Sequence, residues 1–197
     1  MAVGLSPPHP LLFRPRFWHP VRVGHSPQLL AALVAEGMKK SGVCWVRPLG
    51  TTRAYACWHV WYEGSAYVLT SPDEQPLPDI DQAETADVTI HSKDTRERLL
   101  TWTAQVSLVE PGIDEWDAVT ELLVAGRLNL VDPTGAVDRW ARDGLVVRLT
   151  PTGDYTEAPD EMGPDSEATV PVETPATTKG PLPRIVHRRQ TQRPPLS

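Results

Sequence analysis

Apolar residues recur at strand spacing through the middle of the chain. Six segments show the alternation or the short apolar run that predicts β-strands, at 43–49, 53–62, 66–70, 86–91, 99–110 and 145–149. Gly64 allows a tight hairpin turn between the second and third segments, and Pro111-Gly112 ends the fifth. The pattern predicts a mainly β domain, a small antiparallel barrel.

Helical spacing appears in two or three shorter places. Ser26-Pro27 reads as a helix start, because serine caps the first amide groups and proline suits the first helical position. The apolar stripe that follows comprises Leu29, Leu30, Leu33, Val34 and Met38. A second helix is predicted from Asp114 to Gly126, and a shorter one around Trp140.

The second predicted strand is apolar on both faces. Alternate positions are Ala54, Ala56, Trp58 and Val60 on one face and Tyr55, Cys57, His59 and Trp61 on the other. A barrel strand of this kind packs against a helix or a second subunit as well as the barrel interior. Together with the seven tryptophans of the chain, it predicts a homodimer, with His59 as a buried histidine whose hydrogen bonds are satisfied.

The composition changes at both ends of this region. Residues 1–25 are rich in proline, arginine and histidine and predict an irregular arm, whereas residues 26–151 contain the strands and helices. Residues 152–197 are rich in proline, with seven acids and no base at 154–173 and five bases and no acid at 179–193. Such a segment cannot bury enough apolar area to offset its ordering entropy, so a disordered tail is expected.

Charge and hydropathy narrow the classes of partner. The chain has a formal net charge of −6, and residues 25–150 hold 11 basic and 18 acidic side chains. An acidic domain repels a phosphate backbone, so no nucleic-acid partner is expected. No apolar run approaches the ~20 residues that span a bilayer, and the start has no signal-type apolar segment, so we expect a cytoplasmic protein without a membrane partner.

The sequence contains no recognisable catalytic constellation, and the catalytic residues stay unknown. Cys44 and Cys57 lie on predicted strands and are expected to be free core thiols. No cluster of His and Cys has metal-ligand spacing, so no metal is predicted.

Candidate binding residues lie where the predicted strands and helices end. A hydroxyl and cationic cluster follows the fourth strand and includes Ser92, Lys93 and Arg96, which could bind an anion or form a solvated connection. Arg127 and Asn129 follow the second helix, and Arg127 either binds a phosphate or satisfies the carbonyl groups at the helix end.

The order of elements and the hairpin from Arg53 to Ser71, RAYACWHVWYEGSAYVLTS, resemble the FMN-binding split barrel of the pyridoxamine 5′-phosphate oxidase-like superfamily. The small flavin- or deazaflavin-binding relatives are particularly similar, over residues 26–150. The resemblance implies a six-stranded antiparallel split barrel and a homodimer with flavin at its interface. It also implies that Arg53, Thr70 and Ser71 contribute to the cofactor phosphate site.

Two readings of the function remain open. In the first, the protein binds FMN or a deazaflavin and performs hydride transfer as an oxidoreductase, with an unknown substrate. In the second, it is a cofactor-free split barrel that acts as an interaction or structural module and contacts a partner through its charged tail. The second reading is favoured by Trp58 and by Ser71-Pro72-Asp73, which stand where the oxidases carry a lysine and a Ser-Arg-Lys phosphate grip. The polar cluster at Ser92–Arg96 favours the first.

Overall fold

The computed structural model describes residues 25–95, 97–127, 130 and 132–159. All of them belong to the compact unit Met1–Pro164, and the second unit, Asp165–Ser197, lies wholly outside the described residues. The helices are α1 (Pro27–Lys40), α2 (Asp114–Gly126) and α3 (Ala136–Asp143), with one turn of 3₁₀ helix at Ile80–Gln82. The strands are β1 (Val43–Pro48), β2 (Tyr55–Trp58), β3 (Val60–Tyr62), β4 (Ser65–Thr70), β5 (Thr85–His91), β6 (Arg98–Val109) and β7 (Leu145–Glu157).

Helix α1 begins as the sequence predicts. The Leu29 amide donates to the Ser26 hydroxyl at 3.2 Å, and Pro27 occupies the first turn. Leu30, Val34 and Met38 are buried, whereas Lys39 and Lys40 lie in the last turn, where the helix dipole favours positive charge. None of the helices in the described ranges is long and apolar enough to cross a membrane.

All seven strands belong to one antiparallel sheet in the order β2-β1-β5-β6-β7-β4-β3. The two edge strands, β2 and β3, are consecutive in the chain and are separated only by His59. One continuous stretch therefore supplies both edges of the sheet, which curls as a half-barrel. The mainly β fold is confirmed, and the strand count is seven rather than six because the second predicted strand breaks at His59.

The break has a physical cause in the position of His59. Its side chain is buried, and Nε2 donates to the Met38 carbonyl, which lies 2.9 Å away near the end of α1. Before His59 the strand pairs with β1, and after it the strand pairs with β4. The prediction of a buried histidine is confirmed, but its hydrogen bonds are only partly satisfied, because Nε2 is paired and the buried Nδ1 has no hydrogen-bond partner among the described residues.

Two apolar clusters stabilise the sheet, one on each side. The inner cluster includes Val46, Val88 and Trp102, and Trp61 meets Trp102 edge-on with ring centroids 6.4 Å apart. The outer cluster lies between the sheet and α2 and α3, and its members include Trp116, Leu123 and Trp140. Strand β4 is buried along its whole length because its alternate residues enter the two clusters in turn.

Strand β7 extends further than the sequence predicts. It runs to Glu157, where the predicted strand ends at 149 and the predicted tail begins at 152. Glu157 accepts a hydrogen bond from the Thr101 hydroxyl at 2.8 Å and forms an ion pair with Arg98 at 3.1 Å, and Ala158 is buried. Residues 152–157 thus belong to the sheet, and their polar composition reflects a partly exposed strand. The predicted tail from residue 160 onwards, and the arm up to residue 24, lie outside the described residues.

The buried histidine predicts a pH-dependent stability. Burial lowers the pKa of His59 below its usual value, against the opposing effect of its hydrogen bond to Met38. The unfolded chain then binds a proton at about pH 6.5 and the folded chain only at lower pH. We therefore expect the free energy of unfolding to fall as the pH drops below about 6.5, and this loss to be smaller in His59→Gln.

The measurement is the urea midpoint at several pH values between neutral and mildly acidic. His91→Gln is the matched control, because burial and Arg98 also lower the pKa of His91, which is only half-buried. Its pH dependence should lie between those of the parent protein and His59→Gln. An identical pH dependence in the parent and His59→Gln would contradict the assignment.

Candidate functional site

The chain leaves β4 through a tight turn that follows Thr70. The Glu74 amide donates to the Ser71 carbonyl at 3.1 Å, and Pro72 occupies the second position, where its fixed φ suits a turn. The Thr70 hydroxyl donates to the Gln75 carbonyl at 2.9 Å and accepts from the Leu77 amide at 3.1 Å. Thr70, a predicted cofactor-binding residue, therefore holds the following loop in place.

The Gln75 side chain bridges β2 and β4 at the point where these two strands do not pair. Extending the β3–β4 register places Trp58 opposite Leu69, but β2 and β4 do not pair there. The Gln75 amide oxygen accepts from the Trp58 amide at 2.6 Å, and its nitrogen donates to the carbonyl groups of Trp58 at 2.8 Å and Leu69 at 3.0 Å. A side-chain amide thus replaces the missing backbone hydrogen bonds between the two strands.

Glu74 lies beside Gln75 and makes two strong contacts. Its Oε2 pairs with the Arg127 guanidinium, and its Oε1 accepts from the Trp140 indole N–H at 3.1 Å. The Glu74 side chain is only 10% exposed and that of Arg127 21% exposed. The carboxylate therefore has a cation on one oxygen and a neutral donor on the other.

Arg127 also lies over an aromatic ring. Its guanidinium carbon is 5.0 Å from the centroid of the Trp58 indole, a distance typical of cation–π contacts. The same indole approaches Gly126 closely, since a Cβ built there would lie 2.6 Å from Trp58 Cζ2. We call Trp58, Glu74, Arg127 and Trp140 the Glu74 cluster.

Three other predicted site residues, Arg53, Ser92 and Lys93, do not join this cluster. The Ser92 hydroxyl accepts from the Asp94 amide at 3.3 Å and the Thr95 amide at 3.2 Å, which makes it part of a turn, and Lys93 is exposed. Arg53 is exposed, with its guanidinium 5.0 Å from the Tyr55 ring centroid. Arg96 and Asn129 lie outside the described residues.

The strand register separates these candidates. Extending the pairing of β1 with its neighbours places Arg53 beside Pro48 and Ser92 beside Gly42. These positions are at opposite ends of β1, about 20 Å apart at the usual rise per residue. One small anion therefore cannot contact both Arg53 and Lys93 within a single chain.

Groups with other reactive chemistry are buried. Cys44 and Cys57 are free and buried, as predicted, and burial raises the pKa of Cys57 to about 12 and that of Cys44 well above its usual value. Such thiols do not act as nucleophiles near neutral pH. Within the described ranges, no group of three His, Cys, Asp or Glu side chains could hold a metal ion.

Sequence reasoning missed Glu74, Gln75 and Trp140. A signal for Glu74 was present in the Ser71–Glu74 segment, whose serine and proline positions suit a turn that presents the fourth residue. No sequence signal connects Glu74 with Arg127, which lies 53 positions further along the chain.

The chain is similar to several solved structures. They include the heme storage protein HutZ from Vibrio cholerae (15% identity, 61% of this chain and 88% of that one, TM-score 0.44). A protein described as a pyridoxamine 5′-phosphate oxidase from Listeria innocua is 13% identical over 62% of this chain and 94% of that one, with a TM-score of 0.45. An F420 reductase is 16% identical over 59% of this chain and 91% of that one, with a TM-score of 0.41.

No protein-family model matches the sequence, and no curated protein matches it. Two of these solved structures, the one described as a pyridoxamine 5′-phosphate oxidase and the F420 reductase, have descriptions that fit the superfamily that the sequence resembles. At these identities and TM-scores they carry no function to this chain, so the function has to be argued from its own side chains.

The bridging role of Gln75 is testable by an isosteric apolar replacement. Gln75→Met leaves the Trp58 amide and two carbonyl groups without their partner, and unpaired part-buried groups cost about 1–3 kcal/mol each. We expect the free energy of unfolding to fall by about 3 kcal/mol or more in urea denaturation, because three groups lose their partner. Gln82→Met, at an exposed position, is the matched control and should stay within about 0.5 kcal/mol. Equal stability of the two variants would show that Gln75 does not close the gap.

Proposed function

We propose that the protein binds a flavin-type cofactor, FMN first and a deazaflavin as the alternative, and uses it as an oxidoreductase of the pyridoxamine 5′-phosphate oxidase-like type. A bound flavin supplies the hydride-transfer chemistry, while the protein places the ring and limits its exposure to water. The proposal starts from the sequence resemblance, which implies a phosphate site at the end of β4. Its substrate stays unidentified.

The observation that supports the proposal is that Ser71 and Arg127, two predicted site residues far apart in the chain, come together around Glu74. Ser71 begins the turn that places Glu74, and Glu74 contacts Arg127, which comes from the end of α2. The cluster combines a guanidinium, an indole N–H and two indole rings. A guanidinium suits a phosphate and an indole face suits a planar ring, so these residue types fit a phosphorylated flavin.

A second copy of the chain is part of the proposal. The face of β1 that points away from the inner cluster exposes Val43 by 45% and Trp45 by 41%, and Ala56 is exposed opposite Trp45 on β2. Leu99 of β6 is 40% exposed, and Trp45 lies beside His91 of β5, with ring centroids 6.1 Å apart. Apolar side chains exposed on three strands of one sheet support the predicted homodimer.

The second candidate function is a cofactor-free interaction or structural module. It is favoured by Glu74 itself, because an internal carboxylate already neutralises Arg127. The Gln75 amide, the Thr70 hydroxyl and the Ser92 hydroxyl are also engaged by the chain's own backbone. The charged tail, which this reading uses for partner contact, lies outside the described residues apart from its first residues in β7.

Cofactor binding is tested by absorption spectroscopy of the purified protein, followed by titration with FMN, riboflavin and a deazaflavin. We expect saturable uptake of FMN, with weaker uptake of riboflavin, because riboflavin has the same ring and lacks the phosphate. A protein that is colourless as purified and takes up none of the three ligands would favour the cofactor-free module.

The assembly is tested by sedimentation velocity at micromolar concentration. We expect a dimer that becomes a folded monomer in Trp45→Glu, because a charge at the centre of an apolar interface is left desolvated and unpaired. Leu122→Glu is the matched control, since Leu122 is 38% exposed on α2 rather than on one of these strands, and this variant should leave the dimer intact. A monomeric parent protein would refute the homodimer.

A further inference from the structure

The rest of the protein contacts the Glu74 carboxylate in the way that a binding site contacts a free carboxylate ligand. Its two oxygens meet donors from two different elements, Arg127 directly after α2 and Trp140 within α3. Glu74 itself comes from a third place, the turn after β4. Donors that converge from separate elements onto both oxygens of one buried carboxylate are the arrangement of an oxyanion-binding site.

The two donors have other contacts that hold them in position. The Arg127 guanidinium lies over the Trp58 indole, and that indole is packed against Gly126. Trp140 is buried in the outer cluster, only 2% exposed. The receptor groups therefore do not depend on Glu74 alone for their geometry.

The loop is likewise anchored by residues other than Glu74. Gln75 is hydrogen-bonded to Trp58 and Leu69, and Thr70 binds the backbone at Gln75 and Leu77. The Glu74 side chain could leave the two donors by a change of rotamer while these backbone anchors stay in place. Glu74 thus makes the contacts of a bound ligand, and the anchored backbone keeps its carboxylate near the two donors.

We propose that Arg127 and Trp140 form an oxyanion site whose resident occupant is Glu74, and that the phosphate of the cofactor competes with Glu74 for this site. The second part rests on the function proposed above. Glu74 then acts as an autoinhibitory side chain that sets the affinity for phosphorylated ligands. It leaves the affinity for the unphosphorylated ring unchanged.

The size of the effect follows from the competition. A tethered group acts at an effective concentration in the millimolar range or above. The apparent dissociation constant of a competing ligand equals its intrinsic value divided by the fraction of molecules in which the site is open. If Glu74 occupies the site in nine molecules of ten, removal of its charge tightens phosphate binding about tenfold.

The first experiment needs no flavin. Glu74→Ala removes a CH₂–COO⁻ group, which matches acetate in size and charge, so acetate is the probe and inorganic phosphate the second. We expect either anion to raise the melting temperature of Glu74→Ala above that in chloride at the same ionic strength. The parent protein should respond less, and the double variant Glu74→Ala/Arg127→Met should not respond. No response in Glu74→Ala, or an equal response in the double variant, would overturn the proposal.

The second experiment uses Glu74→Gln, which preserves the shape of the side chain and an acceptor for Trp140. We expect FMN to bind this variant about tenfold more tightly than it binds the parent, with the affinity for riboflavin unchanged. Glu115→Gln is the matched control, because Glu115 also pairs with an arginine, Arg148 at 3.1 Å, and accepts from the Tyr67 hydroxyl at 2.8 Å, outside the Glu74 cluster. It should bind FMN as the parent does.

The outcomes separate this inference from the proposed function. If FMN binds the parent and Glu74→Gln equally, the competition is refuted while flavin binding stands. If no variant binds a flavin but Glu74→Ala responds to acetate through Arg127, the oxyanion site stands and the flavin function and the competition with its phosphate fall.

Discussion

Closure of the sheet depends on the eight residues from Tyr55 to Tyr62, which supply both of its edges. The chain pairs with β1 as far as Trp58, crosses at His59 and pairs with β4 from Val60 onwards. An open sheet edge leaves backbone groups unpaired, and here one stretch covers both β1 and β4, so that only its own short segments β2 and β3 remain as edges. The hydrogen bond from His59 to the Met38 carbonyl ties the crossing point to α1.

The crossing leaves a gap, and the loop after β4 fills it. Trp58 and Leu69 face each other without backbone pairing, and the Gln75 amide satisfies both. Glu74, the residue directly before Gln75, binds Arg127 and Trp140. The same short loop therefore completes the sheet and brings an anion to the end of α2, so stability and ligand chemistry meet at one place.

This coupling explains why the two candidate functions are hard to separate by residue type alone. A phosphate binds guanidinium, indole N–H and hydroxyl groups. In the described part of this chain, the Arg127 guanidinium, the Trp140 indole N–H and the Thr70 hydroxyl each contact a partner within the chain. Whether the chain uses a cofactor depends on whether a free anion can displace a tethered one. That is a question of relative free energies, which a list of residue types does not contain.

The local features of this protein can be derived from residue type and spacing alone. The stripe through Leu30, Val34 and Met38, the six strand segments and the buried thiols follow from spacing and residue type, which act over a few positions. Four other features become visible only in the folded chain: Thr70 anchors a loop, Glu74 meets Arg127, Arg53 and Lys93 lie beside opposite ends of β1, and β7 continues to Glu157. These relations depend on strand register and on closure of the sheet, which bring together residues that are distant in the chain.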